Sequence, residues 1–240
     1  MIALLVYTAG VIWGSFLNSI AYRLLNPDFF KYQYSVCPHC KKQLLWYQLI
    51  PLLSFYGLKG ACGLCKKPIS WLYPFIEAIT GITALLLYFY TPSPYWLAYG
   101  ILFSALIISV RTDLEELVIV PYVSLYLAPV GWLLSAWGAL PISLEASLFT
   151  SIVSYGLLWG CAYLFYITTK TQGMGEGDFD LIALIGAFLG PFNTLYALAG
   201  AAWTGVIFGV LYGIYSGNWR APIPFGPFLA LGTLGTLLFW

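Results

Sequence analysis

Long runs of apolar residues dominate the chain and are separated by short polar stretches. A helix needs about 20 apolar residues to cross the hydrocarbon core of a bilayer. About eight runs approach this length, at residues 2–25, 71–90, 95–110, 117–140, 142–167, 179–198, 199–215 and 222–240. The boundary between the sixth and seventh runs is the least clearly defined, because only Gly200 and the Gly190-Pro191 pair interrupt this apolar stretch. The pattern predicts an all-α membrane protein, a polytopic bundle of about eight transmembrane helices.

Composition supports a membrane protein and excludes other classes. Charged residues make up 8% of the 240 residues and hydrophobic residues 61%, whereas soluble domains carry about 25% charged residues. The formal net charge of +1 excludes nucleic-acid binding by a basic face. A Ser-His-Asp or Cys-His catalytic site needs a histidine, and His39 is the single histidine of the sequence, so these sites are disfavoured.

The distribution of cations predicts the orientation in the membrane. With eight spans, all ten Lys and Arg residues fall in or beside the loops of one side, and the opposite loops carry none. Cations concentrate on the cytoplasmic side of membrane proteins. We therefore expect an N-terminus outside the cell and a long first loop, residues 26–70, in the cytoplasm.

This first loop carries four of the five cysteines, in two Cys-x-x-Cys pairs: Cys37, Cys40, Cys62 and Cys65. Two such pairs at this separation are typical of a tetrathiolate zinc site, and neighbouring lysines favour the thiolate form. Redox-active dithiols and an iron-binding site are the alternatives, and disulfides are disfavoured on a reducing side of the membrane. We predict a structural Zn²⁺ bound by the four cysteines, with His39 facing solvent.

Two groups of acidic residues lie at the ends of apolar runs on this same predicted side. One contains Asp113, Glu115 and Glu116, and the other contains Glu176, Asp178 and Asp180. Carboxylates near membrane spans are costly and are functional candidates, although a solvated rim is the alternative. Two carboxylates at one depth can share a proton and activate a water molecule. Because Asp178 and Asp180 are two residues apart on a helix, they cannot both face one partner.

Several motifs give the chain a resemblance to a known family. They occur in the order GSFLNSIAYRL, the double Cys-x-x-Cys loop, YPFIE, TDLEE, GMGEGD and IPFGPFLALG. In this order they resemble the type IV prepilin peptidases, which are bacterial membrane aspartyl proteases of the GxGD kind. The match extends over nearly the whole chain.

The resemblance implies an enzyme that removes the leader peptide of prepilins or type II secretion pseudopilins at the cytoplasmic face of the bacterial inner membrane. By position in the motifs, Asp113 and Asp178 correspond to the family's catalytic pair. Family members with a cysteine-containing first loop often also methylate the new N-terminus, with S-adenosyl-L-methionine as donor. The substrates are membrane-inserted helices, so the implied partners are prepilins and the lipid bilayer, and not nucleic acid.

We therefore expect three parts: a first transmembrane helix at residues 1–25, a zinc-type loop domain at 26–70, and a transmembrane aspartyl peptidase core at 71–240. Two other functions remain open. A proton-coupled transporter would use the same acids as a relay near the bilayer midplane. A thiol-redox membrane protein would use the Cys-x-x-Cys pairs without bound metal.

Overall fold

The computed structural model describes residues 1–219 and 221–237. Arg220, one of the cations predicted for the inner side, and residues 238–240 of the predicted last run lie outside the described residues. Within the described ranges the regular structure is helical. The α-helices are α1 Ile2–Leu25, α2 Leu53–Gly57, α3 Leu72–Tyr90, α4 Trp96–Glu116, α5 Ala128–Ala136, α6 Leu144–Thr169, α7 Glu176–Ser216 and α8 Gly226–Leu237. Short 3-10 turns lie at Pro27–Lys31, Trp46–Leu49, Ser93–Tyr95, Pro121–Val123 and Leu125–Leu127. The chain divides into two compact units, Met1–Phe89 and Tyr90–Trp240.

In the first unit α1 and α3 pack closely through small residues. A Cβ at Gly14 would lie 2.7 Å from the Thr80 hydroxyl oxygen, so the two helices approach through the missing side chain. The Asn18 side-chain amide donates a hydrogen bond to the Tyr73 carbonyl at 3.1 Å. Asn18 therefore forms a hydrogen bond between α1 and α3.

In the second unit α7 is broken at Gly190, whose φ of 71° lies in the left-handed region. The part before the break, residues 176–189, runs beside α6: the Ser147 hydroxyl donates to the Ala187 carbonyl at 2.5 Å. The part after it, residues 191–216, runs beside α8, where Gly232 contacts the backbone around Ala197. Gly190 and Pro191 therefore separate the predicted sixth and seventh spans, and the boundary that apolarity alone gave at residue 198 is wrong.

Five helices of the described residues are long and apolar enough to cross a membrane: Ile2–Leu25, Leu72–Tyr90, Ser93–Glu116, Leu144–Thr169 and Glu176–Ser216. Gly226–Leu237 is a shorter apolar helix. The fold is therefore that of an all-α polytopic membrane protein, as predicted. The fourth apolar run is the exception, because 3-10 turns occupy much of it and α5 covers only 9 residues.

Candidate active site and metal centre

The long first loop folds into two similar turns that present the four cysteines. In the first turn Cys37 N–H donates to the Lys42 carbonyl, and Lys41 N–H donates to the Cys37 carbonyl. In the second, Cys62, Lys66 and Lys67 form the same two bonds, with lengths of 2.9 and 3.0 Å. Lys41 and Lys66 have φ values of 57° and 60°. The loop therefore contains the same turn twice. Cys37 and Cys62 are equivalent positions in the two copies and are 25 residues apart.

The four cysteine sulfur atoms converge on one point. All lie within 4.8 Å of one another, and the Sγ atoms of Cys37 and Cys65 are 3.8 Å apart. Four sulfurs at about 2.3 Å from a tetrahedral ion are about 3.8 Å from each other. None of the described cysteines forms a disulfide. The cluster can therefore hold a metal ion in tetrahedral tetrathiolate geometry.

The thiols of this cluster differ in acidity. Burial raises the pKa of Cys37 to about 11. Burial acts in the same direction on Cys62, but backbone N–H groups of Cys65 and Leu64 and the neighbouring thiols outweigh it and lower its pKa to about 7. The lowered pKa of Cys62 favours its thiolate, which is the form that binds metal.

Asp113 lies in the last turn of α4 and is buried. Its Oδ2 atom accepts a hydrogen bond of 2.8 Å from the N–H of Gly226, the first residue of α8. A Cβ at position 226 would lie 2.8 Å from the same oxygen. The backbone of α8 can donate this bond because residue 226 has no side chain. Sequence reasoning recorded the IPFGPFLALG motif but gave Gly226 no role.

Asp178 lies in the first turn of α7 and is also buried. Its Oδ2 atom accepts a hydrogen bond of 3.2 Å from the Gly175 N–H. The carboxylates of Asp113 and Asp178 are close enough to interact electrostatically. The fold thus brings together the two acids that the sequence motifs singled out.

Two of the three glycines before Asp178 lie in close contact with other parts of the chain. A Cβ at Gly177 would lie 2.6 Å from the Ile119 Cβ, and one at Gly173 would lie 2.8 Å from the Phe165 ring. Gly175 has only the Asp178 carboxylate within 4 Å of such a Cβ, at 3.6 Å. Gly177 therefore allows the start of α7 to lie against the segment that follows α4.

The other acids of the two groups lie elsewhere. Glu116 is exposed, and Asp180 interacts with Glu176 on its own helix. Arg111 is 0% exposed and forms an ion pair with Glu115. Arg111 is therefore held inside the protein by an acid of its own helix. Asp178 and Asp180 have different partners, as their spacing requires.

Glu77, in α3, has a partner that the sequence did not suggest. Its Oε2 atom accepts a hydrogen bond of 2.8 Å from the Leu52 N–H in the first loop, and Ser15 of α1 lies near the carboxylate. Arg23 of α1 does not bind this carboxylate and donates to the Tyr32 carbonyl at 3.2 Å.

Comparison with known proteins identifies two matching family models. Residues 8–91 match the Bacterial Peptidase A24 N-terminal domain, and residues 100–210 match the Type IV leader peptidase family. The two matches coincide closely with the two compact units. No solved structure matches the chain significantly.

Similar curated proteins carry the name prepilin leader peptidase/N-methyltransferase. One from Burkholderia pseudomallei is 35% identical over 216 residues, which cover 85% of this chain and 67% of that protein. One from Legionella pneumophila is 34% identical, with 86% and 72% of the two chains covered. One from Aeromonas hydrophila is 31% identical, with 95% and 87% covered.

Proposed function

Because the chain belongs to the type IV leader peptidase family, we propose that it removes the leader peptide of type IV prepilins or pseudopilins and methylates the new N-terminus. The single observation that carries the peptidase activity is the pair of buried aspartates, Asp113 and Asp178, whose charges interact. They come from helices far apart in sequence. Holding two carboxylates close together beside a membrane is unfavourable, because their negative charges repel each other. Such an arrangement is typical of a functional site.

In the proposed mechanism the two aspartates activate one water molecule. One carboxylate takes a proton from the water as its oxygen attacks the scissile carbonyl carbon. The other, protonated, donates a hydrogen bond to the carbonyl oxygen and stabilises the negative charge that develops there. The protonated base then gives its proton to the leaving nitrogen as the C–N bond breaks.

Backbone N–H groups position both carboxylates for this reaction. Gly226 N–H holds Oδ2 of Asp113, and Gly175 N–H holds Oδ2 of Asp178. We assign the other oxygen of each residue, Oδ1, to the water molecule and the substrate. Fixing one oxygen of each carboxylate limits their rotation and preserves the geometry that the reaction needs.

The test is leader cleavage by Asp113→Asn and Asp178→Asn in purified protein reconstituted with a prepilin. Each variant is expected to lose activity by a factor of about 10²–10⁴, because asparagine can neither accept the proton nor donate it. Glu116→Gln is the matched control, since Glu116 is an exposed acid at the same end of α4, and it should retain activity. Cleavage at the wild-type rate by either aspartate variant, or equal loss in the control, contradicts the proposal.

For the metal we propose zinc, bound by Cys37, Cys40, Cys62 and Cys65. The convergence of four sulfurs and the tetrahedral spacing support this choice. All four positions are taken by protein ligands, which is the arrangement of structural rather than catalytic zinc. Zinc would therefore join the two turns of the loop and contribute to its folding.

The methylation proposal rests on the names of the relatives. The methyl donor implied by the family is S-adenosyl-L-methionine, which supplies an electrophilic methyl group. Transfer of label from S-adenosyl-L-methionine to a cleaved pilin by the purified protein tests the activity, and absence of transfer removes it.

We further propose that the enzyme resides in the bacterial inner membrane with its N-terminus outside and the cysteine loop in the cytoplasm. The cation distribution supports this orientation. A reporter fused after Tyr90 is then expected to lie outside the cytoplasm. A cytoplasmic reporter would reverse the topology.

A further inference from the structure

The first loop contains a stretch of sequence that differs from the rest of the loop. Residues 43–58, here called the uncharged segment, contain no charged residue. The remainder of residues 26–70 contains six lysines and one acid, Asp28. The uncharged segment reads QLLWYQLIPLLSFYGL. Its composition resembles that of the transmembrane helices although it lies between the two metal-binding turns.

Two residues of the uncharged segment face the loop itself. Gln48 is buried, accepts a hydrogen bond of 2.9 Å from the Leu45 N–H, and lies directly against Gly63 in the second cysteine turn. Phe55 is buried and packs on the Trp71 ring, with 4.7 Å between centroids. Because Gln48 and Phe55 face the loop, the opposite side of the uncharged segment faces outward.

The outward side is apolar and extensive. Trp46 is 76% exposed, Leu53 is 72% exposed and Tyr56 is 63% exposed. Leu45, Tyr47, Leu49 and Ile50 are also exposed. An exposed apolar surface of this extent, in a loop outside the membrane-spanning helices, marks an interaction site.

The structure also fixes the depth of the uncharged segment relative to α3. Glu77 is the sixth residue of α3, so it lies about 7 Å along the axis from the start of that span. Its carboxylate bonds to the Leu52 N–H at 2.8 Å. Leu52 therefore lies beside the membrane-spanning part of α3, beyond its first turn.

Leu52 also adopts a backbone conformation that a free loop would avoid. Its φ and ψ are 60° and −56°, in a turn where Leu53 N–H bonds to the Pro51 carbonyl. Such a positive φ is costly for a leucine and persists only when surrounding contacts impose it. The bond to Glu77 is one such contact, and it directs Leu53 and the start of α2 outward.

From these observations we infer that the uncharged segment inserts into the interfacial layer of the lipid bilayer around α3. The apolar side chains of Trp46, Leu53 and Tyr56 enter the boundary between headgroups and acyl chains. This boundary lies about 5–10 Å deep, which agrees with the depth of Leu52. The lysines at either end of the segment, Lys42 and Lys59, lie where phosphate headgroups of anionic lipids are found.

A lipid surface fits better than a protein partner for two reasons. The segment is tied to a membrane-spanning helix, so its outward side is next to lipid without any further association. Tryptophan and tyrosine with flanking lysines are also the residues enriched at membrane interfaces. The inference concerns the loop and the bilayer, and it does not depend on the peptidase activity.

The first experiment measures the depth of Trp46. The full protein is reconstituted into vesicles of phosphatidylcholine and phosphatidylglycerol, with bromine either near the glycerol end of the acyl chains or near their methyl end. Trp46→Phe gives the contribution of Trp46 by difference. We expect the Trp46 emission to fall at least twofold with the shallow bromine and less with the deep bromine. An unchanged Trp46 emission in both lipids overturns the inference.

A second experiment identifies what touches the segment and does not depend on Trp46. A photoreactive benzoylphenylalanine replaces Leu53 in one variant and Leu64 in another. Leu64 is the matched control, because it is also an exposed leucine but lies in the second cysteine turn outside the uncharged segment. We expect lipid adducts at position 53 to exceed those at position 64 severalfold. Equal lipid adducts, or adducts at position 53 with protein alone, contradict the inference.

Discussion

The cysteine cluster and the aspartate pair are two sites built in different ways. The ligands of the cluster at Cys37 and Cys65 are 28 residues apart, and two short turns are enough to orient all four sulfurs. The bond between Asp113 and Gly226 joins residues 113 apart, and it exists only because α4, α7 and α8 pack together. The first site is determined by local backbone geometry and the second by the arrangement of helices.

This difference decides which site tolerates small changes. The proposed metal site would depend on every ligand, because the ion would hold the two turns together. The aspartate pair depends on how closely helices approach each other, so an extra carbon atom in the wrong position moves a carboxylate. The following predictions test this contrast.

The largest effect is expected from removal of one metal ligand. Cys62→Ser should abolish zinc binding, because structural zinc contributes about 10–16 kcal/mol to small domains of this kind. Elemental analysis of purified protein measures the loss, and limited proteolysis within residues 26–70 measures the accompanying unfolding. Cys161→Ser is the control, since Cys161 is an exposed cysteine of α6 outside the cluster. A full equivalent of zinc in Cys62→Ser would show that the cluster is not a cooperative site.

A single methyl group on α8 should disturb the aspartate site. In Gly226→Ala the new Cβ would lie 2.8 Å from the Asp113 Oδ2 atom, so the carboxylate or the helix must move. Displacement of a catalytic group by about 1 Å can cost about 10²-fold in rate, and we expect a loss in kcat of about 10- to 100-fold. Zinc content should not change.

The matched control for Gly226→Ala is Gly235→Ala in the same helix. A Cβ at Gly235 has nothing within 4 Å, so this variant should cleave prepilin at the wild-type rate. Equal kcat values for the two variants would mean that the close approach of α8 to Asp113 has no role in catalysis.

A smaller effect is expected at the contact between α1 and α3. Asn18→Ala removes the bond to the Tyr73 carbonyl and should lower the free energy of unfolding by about 1 kcal/mol, as measured for such bonds in membranes. Ser19→Ala is the control, because Ser19 bonds to the Ser15 carbonyl within its own helix. Titration with denaturing detergent compares the two variants. A larger loss in Ser19→Ala would contradict the assigned role.

The same contrast explains how much could be predicted from sequence. Spacing alone indicates the four metal ligands, because each Cys-x-x-Cys turn is a local structure. Spacing could not separate Asp113 from Glu116, or Asp178 from Asp180, and the motifs of the family made that choice. Gly226 remained without a role, because only the packing of α8 against α4 brings its N–H to Asp113.

The apolar pattern predicted where most spans lie but not where helices break. In residues 117–140 apolarity indicated one span, yet Pro121 cannot donate a backbone hydrogen bond and Ser124 has φ and ψ of −115° and −93°. In the sixth run, Gly190 adopts a φ of 71° that only glycine adopts readily. Helix breaks of this kind depend on single residues, and hydropathy averaged over a window of residues does not detect them.

An effect of similar size concerns the backbone of one cysteine turn. Lys66 has a φ of 60°, a conformation that costs an L-residue about 1 kcal/mol more than glycine. Lys66→Gly removes this strain but also removes a cation near the thiolates. Lys67→Gly removes an adjacent cation without relieving strain, because Lys67 is not among the residues with positive φ.

We therefore expect Lys66→Gly to bind zinc about fivefold more tightly than Lys67→Gly, which corresponds to about 1 kcal/mol. Competition with a chromophoric chelator measures the ratio. If the two affinities are equal, the turn is not strained at Lys66, and the local geometry of the cluster is set by the metal rather than by the chain.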